Sequence, residues 1–313
     1  MLIYLHMPTT RNNRAFTIVE LLVVITVMGI LVSVALISYV GVSAKAKTTM
    51  VESDLKNTSR QIDLYQVENS QYPTTTSVLN DDKGLTLSPS DTLLSYTFDN
   101  AANYYCLTME SGAVVTSIKN SAPPVNGYCM QNLVKNGDFS NGLTNWKTED
   151  IGGTFSAVGG VAQNVSDGTD TSQLIWQSIA TTDMSHKFYL RNEFKSVGYS
   201  ASVMHHAGCG YSESAGQNIC VQYGYSTAYA QNTWKSFSTV YPPFGPQDVY
   251  IFFLANATHT TIPSGMIAQF DNVVMIDLTD TFGAGNEPTQ AAMDTMLATY
   301  PTKWFEGTVI VNK

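Results

Sequence analysis

Charged residues are scarce in this sequence of 313 residues, and most of the charge is negative. Lys and Arg number 16 against 25 for Asp and Glu, charged residues make up 13% of the chain, and the formal net charge is −9. A protein that binds nucleic acid over a broad surface needs clustered Lys and Arg to pair with phosphates. The composition therefore argues against nucleic acid as a partner and suits a secreted, β-rich protein.

The common motifs of catalysis are also missing. The sequence contains no HExxH or GxSxG motif, and the glycine-containing stretch FGAGNEPT lacks the lysine of a phosphate-binding loop. His205 and His206 stand beside Cys209. A zinc site there needs three or four ligands, and only Cys220 and His259 are left to supply the rest. We therefore predict that the protein is not an enzyme.

Cysteine is rare as well, with four residues at Cys106, Cys129, Cys209 and Cys220. An even number of cysteines in an exported protein predicts disulfide bonds. Four cysteines allow three pairings. Pairing Cys106 with Cys129 and Cys209 with Cys220 keeps each bridge inside one of the domains defined below, and it is the pairing we favour. Free buried thiols are the alternative.

One long segment, residues 21–42, has no charged residue and reads LLVVITVMGILVSVALISYVGV. About twenty apolar residues are what a helix needs to cross a bilayer. A cleaved secretory signal fits poorly, because its apolar core is shorter and a small-residue cleavage site follows it. The run is preceded by the apolar stretch MLIYLHM, in which Met7 is an alternative start to Met1. We predict a membrane-spanning helix.

A simple membrane anchor does not explain Glu20, because a carboxylate at the start of an apolar helix is costly in lipid and marks a functional position. Glu20 lies four residues after Phe16. Cleavage between Ala15 and Phe16 creates an α-amino group one helical turn from Glu20. In a packed helical bundle this amine and a carboxylate neutralise each other, which makes the buried charge tolerable.

The stretch RAFTIVELLVVITVMGIL resembles the class III leader of type IV prepilins and pseudopilins. The resemblance implies a prepilin peptidase that cuts after Ala15 and methylates the amine of Phe16, and a role for Glu20 in setting the register during assembly. Gly29 falls where the family often has a helix-weakening glycine. Two departures are that Ala15 replaces the usual glycine before the cut and that Ile37 replaces a frequent proline.

The helical pattern continues beyond the apolar run and is followed by sequence that is typical of β-strands. Apolar or small residues recur at steps of four and three and predict the buried face of a helix, namely Val51, Leu55, Thr58, Ile62 and Tyr65. Pro73 then ends the helix. Enrichment in aromatic and β-branched residues predicts strands at 93–98, 104–109 and 112–118.

A second unit begins after the turn-rich stretch 121–127. Its phrases NLVKNGDFSNGLTNW and FDNVVMIDLT resemble the first and last strands of jelly-roll carbohydrate-binding modules. The phrase MIDLTDTFGAGNEPT resembles the end of such modules in phage tail and bacterial surface proteins. Strand-like runs between turns are predicted at 173–179, 187–194, 199–204, 219–223, 234–241, 248–256 and 266–277.

Together these features predict an α+β chain, in which a long N-terminal helix packs on a small β-sheet and an all-β jelly-roll sandwich follows. The predicted divisions are a leader at 1–15, the long helix at 16–70 with 16–42 in the membrane or filament core, a small pilin β domain at 71–130 and the jelly-roll module at 131–313.

The resemblance to jelly-roll modules implies one candidate metal site. Asp138 and Asp271 fall where related modules bring their first and last strands together around a structural Ca²⁺, which prefers oxygen ligands. The alternative is that both are turn-forming aspartates bonded to backbone. We predict no other cofactor.

Sugar binding in such a module depends on exposed aromatic side chains. The candidates lie in or beside the glycine-rich middle of the module, with one arginine to bond a hydroxyl group, and they are Tyr211, Tyr223, Tyr225, Tyr229, Tyr241 and Arg191. Trp146, Trp176 and Trp234 lie in or beside strand-like text, and we expect them in the core.

The sequence thus predicts a type IV pilus subunit that displays a glycan- or surface-binding module for adhesion. Its expected partners are other copies and other pilins in a helical filament, the prepilin peptidase, the assembly platform with its ATPase, the membrane before assembly, and a glycan or surface polymer. It is expected in the inner membrane first and in an extracellular pilus later. The alternatives are a structural major subunit and a minor pseudopilin of a type II secretion or DNA-uptake machine.

Overall fold

The computed structural model describes residues 17–151, 153–169, 172–179, 185–198, 206–212, 217–223, 232–241, 249–254, 261, 263–300 and 303–311. Of the strands at 206–212, 217–223 and 249–254 it describes the backbone alone. The chain divides into two compact units, Met1–Thr49 and Met50–Lys313. We describe each by itself.

Helix α1 spans Ile18–Asn69, close to the predicted 16–70. Within the first unit it carries the uncharged run, whose large apolar side chains from Ile18 to Val42 are 49–80% exposed. This helix is long and apolar enough to cross a membrane by length and composition. It ends before Ser70, which adopts a left-handed backbone with φ of 57°.

The second unit opens with the remainder of α1, which packs on a small antiparallel sheet. After a 3₁₀ turn at Thr76–Val78 and a short helical turn α2 at Leu79–Asp82, the sheet runs in the order β1-β2-β3-β4. Its strands are β1 (Asp91–Asp99), β2 (Tyr104–Ser111), β3 (Val114–Lys119) and β4 (Val125–Asn126). The predicted helix face is confirmed, because Val51, Leu55 and Ile62 are fully buried against the aromatic and aliphatic side chains of β2 and β3.

Strand β5 (Tyr128–Gln131) leads into a pair of five-stranded antiparallel sheets with the orders β13-β10-β15-β8-β7 and β12-β11-β14-β9-β6. These strands are β6 (Lys147–Ile151), β7 (Gly153–Ala157), β8 (Ala162–Ser166), β9 (Ser172–Ile179), β10 (Phe188–Val197), β11 (His206–Ser212), β12 (Gln217–Tyr223), β13 (Lys235–Tyr241), β14 (Val249–Leu254) and β15 (Ile267–Asp277). Side chains from both sheets share one apolar core that contains Ile175, Phe188 and Phe270. The predicted β-sandwich is therefore present.

The predicted strands correspond to β1–β3, β9, β10 and β12–β15, with shifts of a few residues at their ends. Strands β6–β8 were not predicted, because their sequences are polar and have few apolar residues among polar ones such as Lys147, Glu149 and Asn164. The predicted strand at 199–204 lies outside the described residues.

The tail of the chain returns to strand β5. Helices α3 (Leu278–Phe282) and α4 (Gln290–Leu297) precede strand β16 (Thr308–Val311), which pairs antiparallel with β5 and sets Val309 opposite Met130. An apolar cluster joins these elements to the outer face of the β10–β15 pair, with Tyr128, Phe282 and Leu297 among its buried members. The tail is thereby built into the small domain as well as into the sandwich.

A disulfide joins Cys106 of β2 to Cys129 of β5, which confirms the pairing predicted for the small domain. Both cysteines are at most 1% exposed. The N–H of Cys129 also donates to Thr108 Oγ1 at 2.9 Å. The bridge therefore fastens β5 to the small sheet, while strand β16 pairs with β5 through backbone hydrogen bonds. For the second predicted pair, the backbone register places Cys209 of β11 opposite Cys220 of β12, and their bond stays a prediction.

Replacing Cys106 and Cys129 together by alanine should lower the free energy of unfolding by about 3 kcal/mol, because the bridge closes a loop with a sequence separation of 23 residues. Urea unfolding of the full chain in detergent, followed by fluorescence, measures the change. The control replaces Thr49, an exposed residue of α1, by alanine. An unchanged unfolding midpoint in the Cys106/Cys129 variant would contradict the role assigned to this bridge.

Candidate functional site

Thr17 and Glu20 form a reciprocal cap at the start of helix α1. The N–H and the hydroxyl of Thr17 both donate to Glu20 Oε2 at 2.9 Å, and the N–H of Glu20 donates back to Thr17 Oγ1 at 3.2 Å. This is the capping-box pattern, in which a Thr and a Glu three residues later satisfy each other's end of the helix. The carboxylate that was expected to need a new amine thus already has partners in its own chain. The Thr-x-x-Glu spacing was a readable signal that sequence reasoning missed.

The remaining residues of the predicted processing segment are only partly described. Ala15 and Phe16 lie outside the described residues. Gly29 lies on open surface, with nothing within 4 Å of the position that a Cβ atom would take. Its carbonyl accepts the hydroxyl of Ser33 at 2.7 Å. A larger side chain would therefore fit at position 29 within this unit, so packing does not explain why the residue is glycine. The role of Gly29 in assembly stays a prediction.

The segment before β6 and the last long strand, β15, lie side by side, as the resemblance to jelly-roll modules implies. The N–H of Leu133 donates to Met275 O at 2.8 Å, and the N–H of Val273 donates to Gly137 O at 2.9 Å. A Cβ atom on Gly137 would lie 2.3 Å from Val273 O, so only glycine permits this approach. The close contact places Asp138 near Asp271.

Asp271 lies in an acidic environment. Burial raises its pKa to about 7, and the carboxylates of Glu193 and Asp138 add to the effect. The N–H of Asn272, which donates to Asp271 Oδ1 at 2.7 Å, and the charge of Arg191 act in the opposite direction. Burial together with Asp138 also raises the pKa of a fourth carboxylate, that of Glu306, against the opposing N–H of Asn136. We call Asp138, Glu193, Asp271 and Glu306 the acidic corner.

Arg191 does not lie on an open face, so the prediction that it binds a sugar hydroxyl is wrong. Its side chain is 2% exposed. Its guanidinium donates to Glu193 Oε1 at 2.7 Å, to Ser236 Oγ at 2.7 Å and to the carbonyl of Lys303 at 3.3 Å. These contacts use the guanidinium within the fold, beside the acidic corner.

The outer face of the second sheet carries Trp176. Ile175 and Ile179 of β9 point into the sandwich core, so Trp176, between them in the alternation, lies on the opposite face. It is half-buried, and the ammonium group of Lys147 lies 4.6 Å from its ring centroid. The register sets Trp176 opposite Lys147 of β6 and Phe252 of β14. The expectation that Trp176 belongs to the core is therefore wrong.

The other predicted aromatic residues divide between core and surface. Trp146 is buried as expected and donates to Asn136 O at 2.9 Å, whereas Trp234 is 37% exposed with Lys195 Nζ 5.1 Å from its ring centroid. Tyr241 was a candidate for an open face, but it is 2% exposed and belongs to the core cluster. Only the backbone of Tyr211 and Tyr223 is described, and Tyr225 and Tyr229 lie outside the described residues.

Residues 10–36 match the family model described as the prokaryotic N-terminal methylation motif. The match covers Ala15, Phe16, Glu20 and Gly29 together. The chain therefore carries the prepilin methylation motif, and the predicted resemblance to type IV prepilins and pseudopilins is confirmed.

Curated relatives resemble part of the chain. It is 38% identical over 65 residues to the type II secretion system core protein G of Dickeya chrysanthemi, which covers 21% of this chain and 42% of the relative. It is 29% identical over 105 residues to the type IV wide pilus major component PilA4 of Thermus thermophilus, covering 34% of this chain and 79% of the relative. The chain spans less than half the length of this type II secretion relative.

Solved structures of carbohydrate-binding modules resemble part of the chain at low similarity. A family 16 carbohydrate-binding module has 18% identity and a TM-score of 0.35, covering 47% of this chain and all of that one. The tandem CBM22 domain of Xyn10C from Paenibacillus barcinonensis has 13% identity and a TM-score of 0.38, covering 47% and 50%.

Proposed function

We propose that this chain is a type IV pilin-like subunit, made as a membrane-anchored prepilin, cut between Ala15 and Phe16 and assembled into an extracellular filament. The observation that carries the proposal is the methylation motif at residues 10–36, which opens a helix capped by Thr17 and Glu20. The exposed apolar side chains of α1 would be covered by lipid before assembly and by neighbouring subunits afterwards. The prepilin peptidase and the assembly platform with its ATPase are the partners that this pathway requires.

A pseudopilin of a secretion or DNA-uptake machine is the second candidate function. The similarity to the type II secretion protein extends over 65 residues and covers 42% of that protein. The similarity to PilA4 extends over 105 residues and covers 79% of that pilus component, which favours the filament. In either role we infer that the chain acts by assembly and recognition, without turnover.

Glu20 would act in assembly by exchanging partners. Before assembly its carboxylate accepts the N–H and hydroxyl of Thr17. In the filament the α-amino group of Phe16, from its own or a neighbouring subunit, would supply a positive charge that Thr17 lacks. A paired charge in an apolar bundle is far less costly than an isolated one, so the exchange favours the assembled state.

Glu20→Leu should reduce the amount of subunit in sheared filaments at least tenfold while leaving its level in the membrane unchanged. Thr17→Val, which removes the hydroxyl but keeps Glu20 and the amine, should still assemble. Glu52→Gln is the matched control, because among the contacts described Glu52 makes a single exposed ion pair, with Lys56 at 3.9 Å. Immunoblots of the filament and membrane fractions provide the measurement. Normal assembly of the Glu20→Leu chain would refute the charge-pairing role.

We also propose that the β-sandwich binds a glycan or surface polymer through the outer face that carries Trp176. A half-buried indole on a sheet face offers a flat apolar surface for a sugar ring and is held in place by its neighbours. Lys147 is exposed and its ammonium group lies over the ring, so it would move aside when a sugar stacks there and then donate to a hydroxyl group. This face would give the filament its adhesive property.

Trp176→Ala should weaken glycan binding at least tenfold, about 1.4 kcal/mol, because the stacking surface is lost. The full chain is screened on a glycan array, and each glycan that binds is titrated with the variants. Trp234→Ala is the control, since Trp234 is also exposed but precedes β13, an edge strand of the other sheet. Equal affinity of Trp176→Ala and the parent chain would exclude this face.

A structural calcium ion at the acidic corner is a further proposal. The donors fit, because Asp138, Glu193 and Asp271 supply hard carboxylate oxygens, which calcium prefers. Burial is the main cause of the raised pKa of Asp271, and the carboxylates of Glu193 and Asp138 add to it, so the acidic corner still lacks positive charge despite Arg191. Bound calcium would supply that charge and fasten the segment at Gly137 to strand β15.

Asp271→Asn should abolish the calcium-dependent rise in melting temperature. In chelator the variant should be at least as stable as the parent, because a neutral side chain replaces a half-buried charge whose pKa is raised to about 7. Calorimetry of the full chain in detergent, with calcium and with chelator, tests both effects. Asp167→Asn is the control, because Asp167 bonds only Thr169 on the surface among the contacts described. A calcium response that survives in Asp271→Asn would rule out this site.

A further inference from the structure

A histidine and two aspartates meet where the sandwich joins helix α3. His186 Nδ1 lies 2.8 Å from Asp277 Oδ2 and 3.4 Å from Asp280 Oδ1. One ligand atom from each residue lies within 4.8 Å of the others. His186 lies in the turn before β10, whereas Asp277 ends β15 and caps helix α3, and Asp280 lies in the first turn of α3.

We propose that His186, Asp277 and Asp280 form a zinc site that fastens helix α3 to the sandwich. Zinc bonds to histidine nitrogen and carboxylate oxygen at about 2.0–2.2 Å, so two ligand atoms in a tetrahedral site lie roughly 3.3 Å apart. The two distances from His186 Nδ1, 2.8 and 3.4 Å, lie on either side of that separation. Three protein ligands leave the fourth position for water.

Hydrogen bonds around the cluster fix its ligands before any metal enters. Asp277 Oδ1 accepts the N–H of Asp280 at 2.9 Å, which leaves Oδ2 directed at His186. The N–H of Lys187 donates to Thr279 Oγ1 at 3.0 Å, and its carbonyl accepts the N–H of Leu278 at 2.9 Å. Such outer contacts hold metal ligands in position and strengthen binding.

The donor set selects zinc over calcium. An imidazole nitrogen suits zinc and its neighbours among the transition metals, whereas calcium takes six to eight oxygen ligands. A neutral His186 with two carboxylates carries a net charge of −2, which a divalent ion offsets. The nearest cation along the chain, Lys187, is bonded to Glu287 at 3.1 Å instead. Zinc binding at Nδ1 requires the ring proton to move to Nε2, or one proton to leave if the ring is charged.

The position of the cluster indicates what zinc would do. Helix α3 carries Phe282, whose ring centroid lies 4.5 Å from that of Tyr128 in β5. Tyr128 precedes Cys129, which is bonded to Cys106 of the small sheet. Zinc at the first turn of α3 would therefore brace the attachment of the sandwich to the small sheet. The site is separate from the acidic corner and from Trp176, so it does not depend on the proposed function.

Zinc titration of the full chain in detergent, after treatment with chelator, tests the site. Metal-free chain should bind zinc with a dissociation constant of about 1 μM or below and gain at least about 3 °C in melting temperature. His186→Gln should bind one zinc ion fewer per chain, and Asp280→Asn should bind at least tenfold more weakly. His259→Gln is the control for the other histidines. Cobalt in place of zinc should give visible absorption bands that His186→Gln loses.

Two results would overturn the proposal. One is the same zinc stoichiometry and affinity in the parent, His186→Gln and Asp280→Asn chains. The other is displacement of zinc by calcium at equal concentration, which a site with a nitrogen ligand does not allow. Asp280 keeps the test valid if His186→Gln fails to fold, because the Asp280 side chain is 58% exposed and its loss leaves the Asp277 cap in place.

Discussion

Strand β5 is the element on which the second unit depends, because it is held from two sides. The disulfide at Cys129 joins it to β2, and hydrogen bonds to β16 join it to the end of the chain. The same strand contributes Tyr128 and Met130 to the apolar cluster that α3 and α4 cover. A sandwich linked only at residue 131 would be free to swing. Attachment of the sandwich at both of its ends makes the small sheet and the sandwich one compact unit, which is what the proposed adhesive role would require.

Much of the fold was predictable, since its strongest signals are local. The run without charge in α1, the buried face at Val51, Leu55 and Ile62, and the cysteine pair of the small domain were read from composition and spacing. The return of β16 to β5 was not predictable, because Thr308–Val311 pairs with a strand far away in sequence. No local pattern encodes such a contact. Strands β6–β8 were missed for a related reason, since their polar residues form sheet by pairing with neighbours.

The candidate sites were less predictable than the fold, because burial depends on the whole structure. Arg191 looked like a surface donor, yet its charge is used beside Glu193 in the interior. Trp176 looked like a core residue, yet the alternation along β9 places it outside. The cap at Thr17 and Glu20, in contrast, follows the Thr-x-x-Glu spacing, which is a local signal that the sequence carries by itself. Juxtapositions of distant residues, such as His186 with Asp277, emerge only from the folded chain.

The proposed function depends most on cleavage before Phe16 and on the assembly that follows it. Mass spectrometry of the N-terminal peptide from sheared, purified filaments tests it most directly. The proposed function predicts that the chain is present in this fraction, begins at Phe16 and carries a methyl group on its α-amine. A chain that stays in the membrane fraction, or that reaches filaments still beginning at Met1 or Met7, would contradict it.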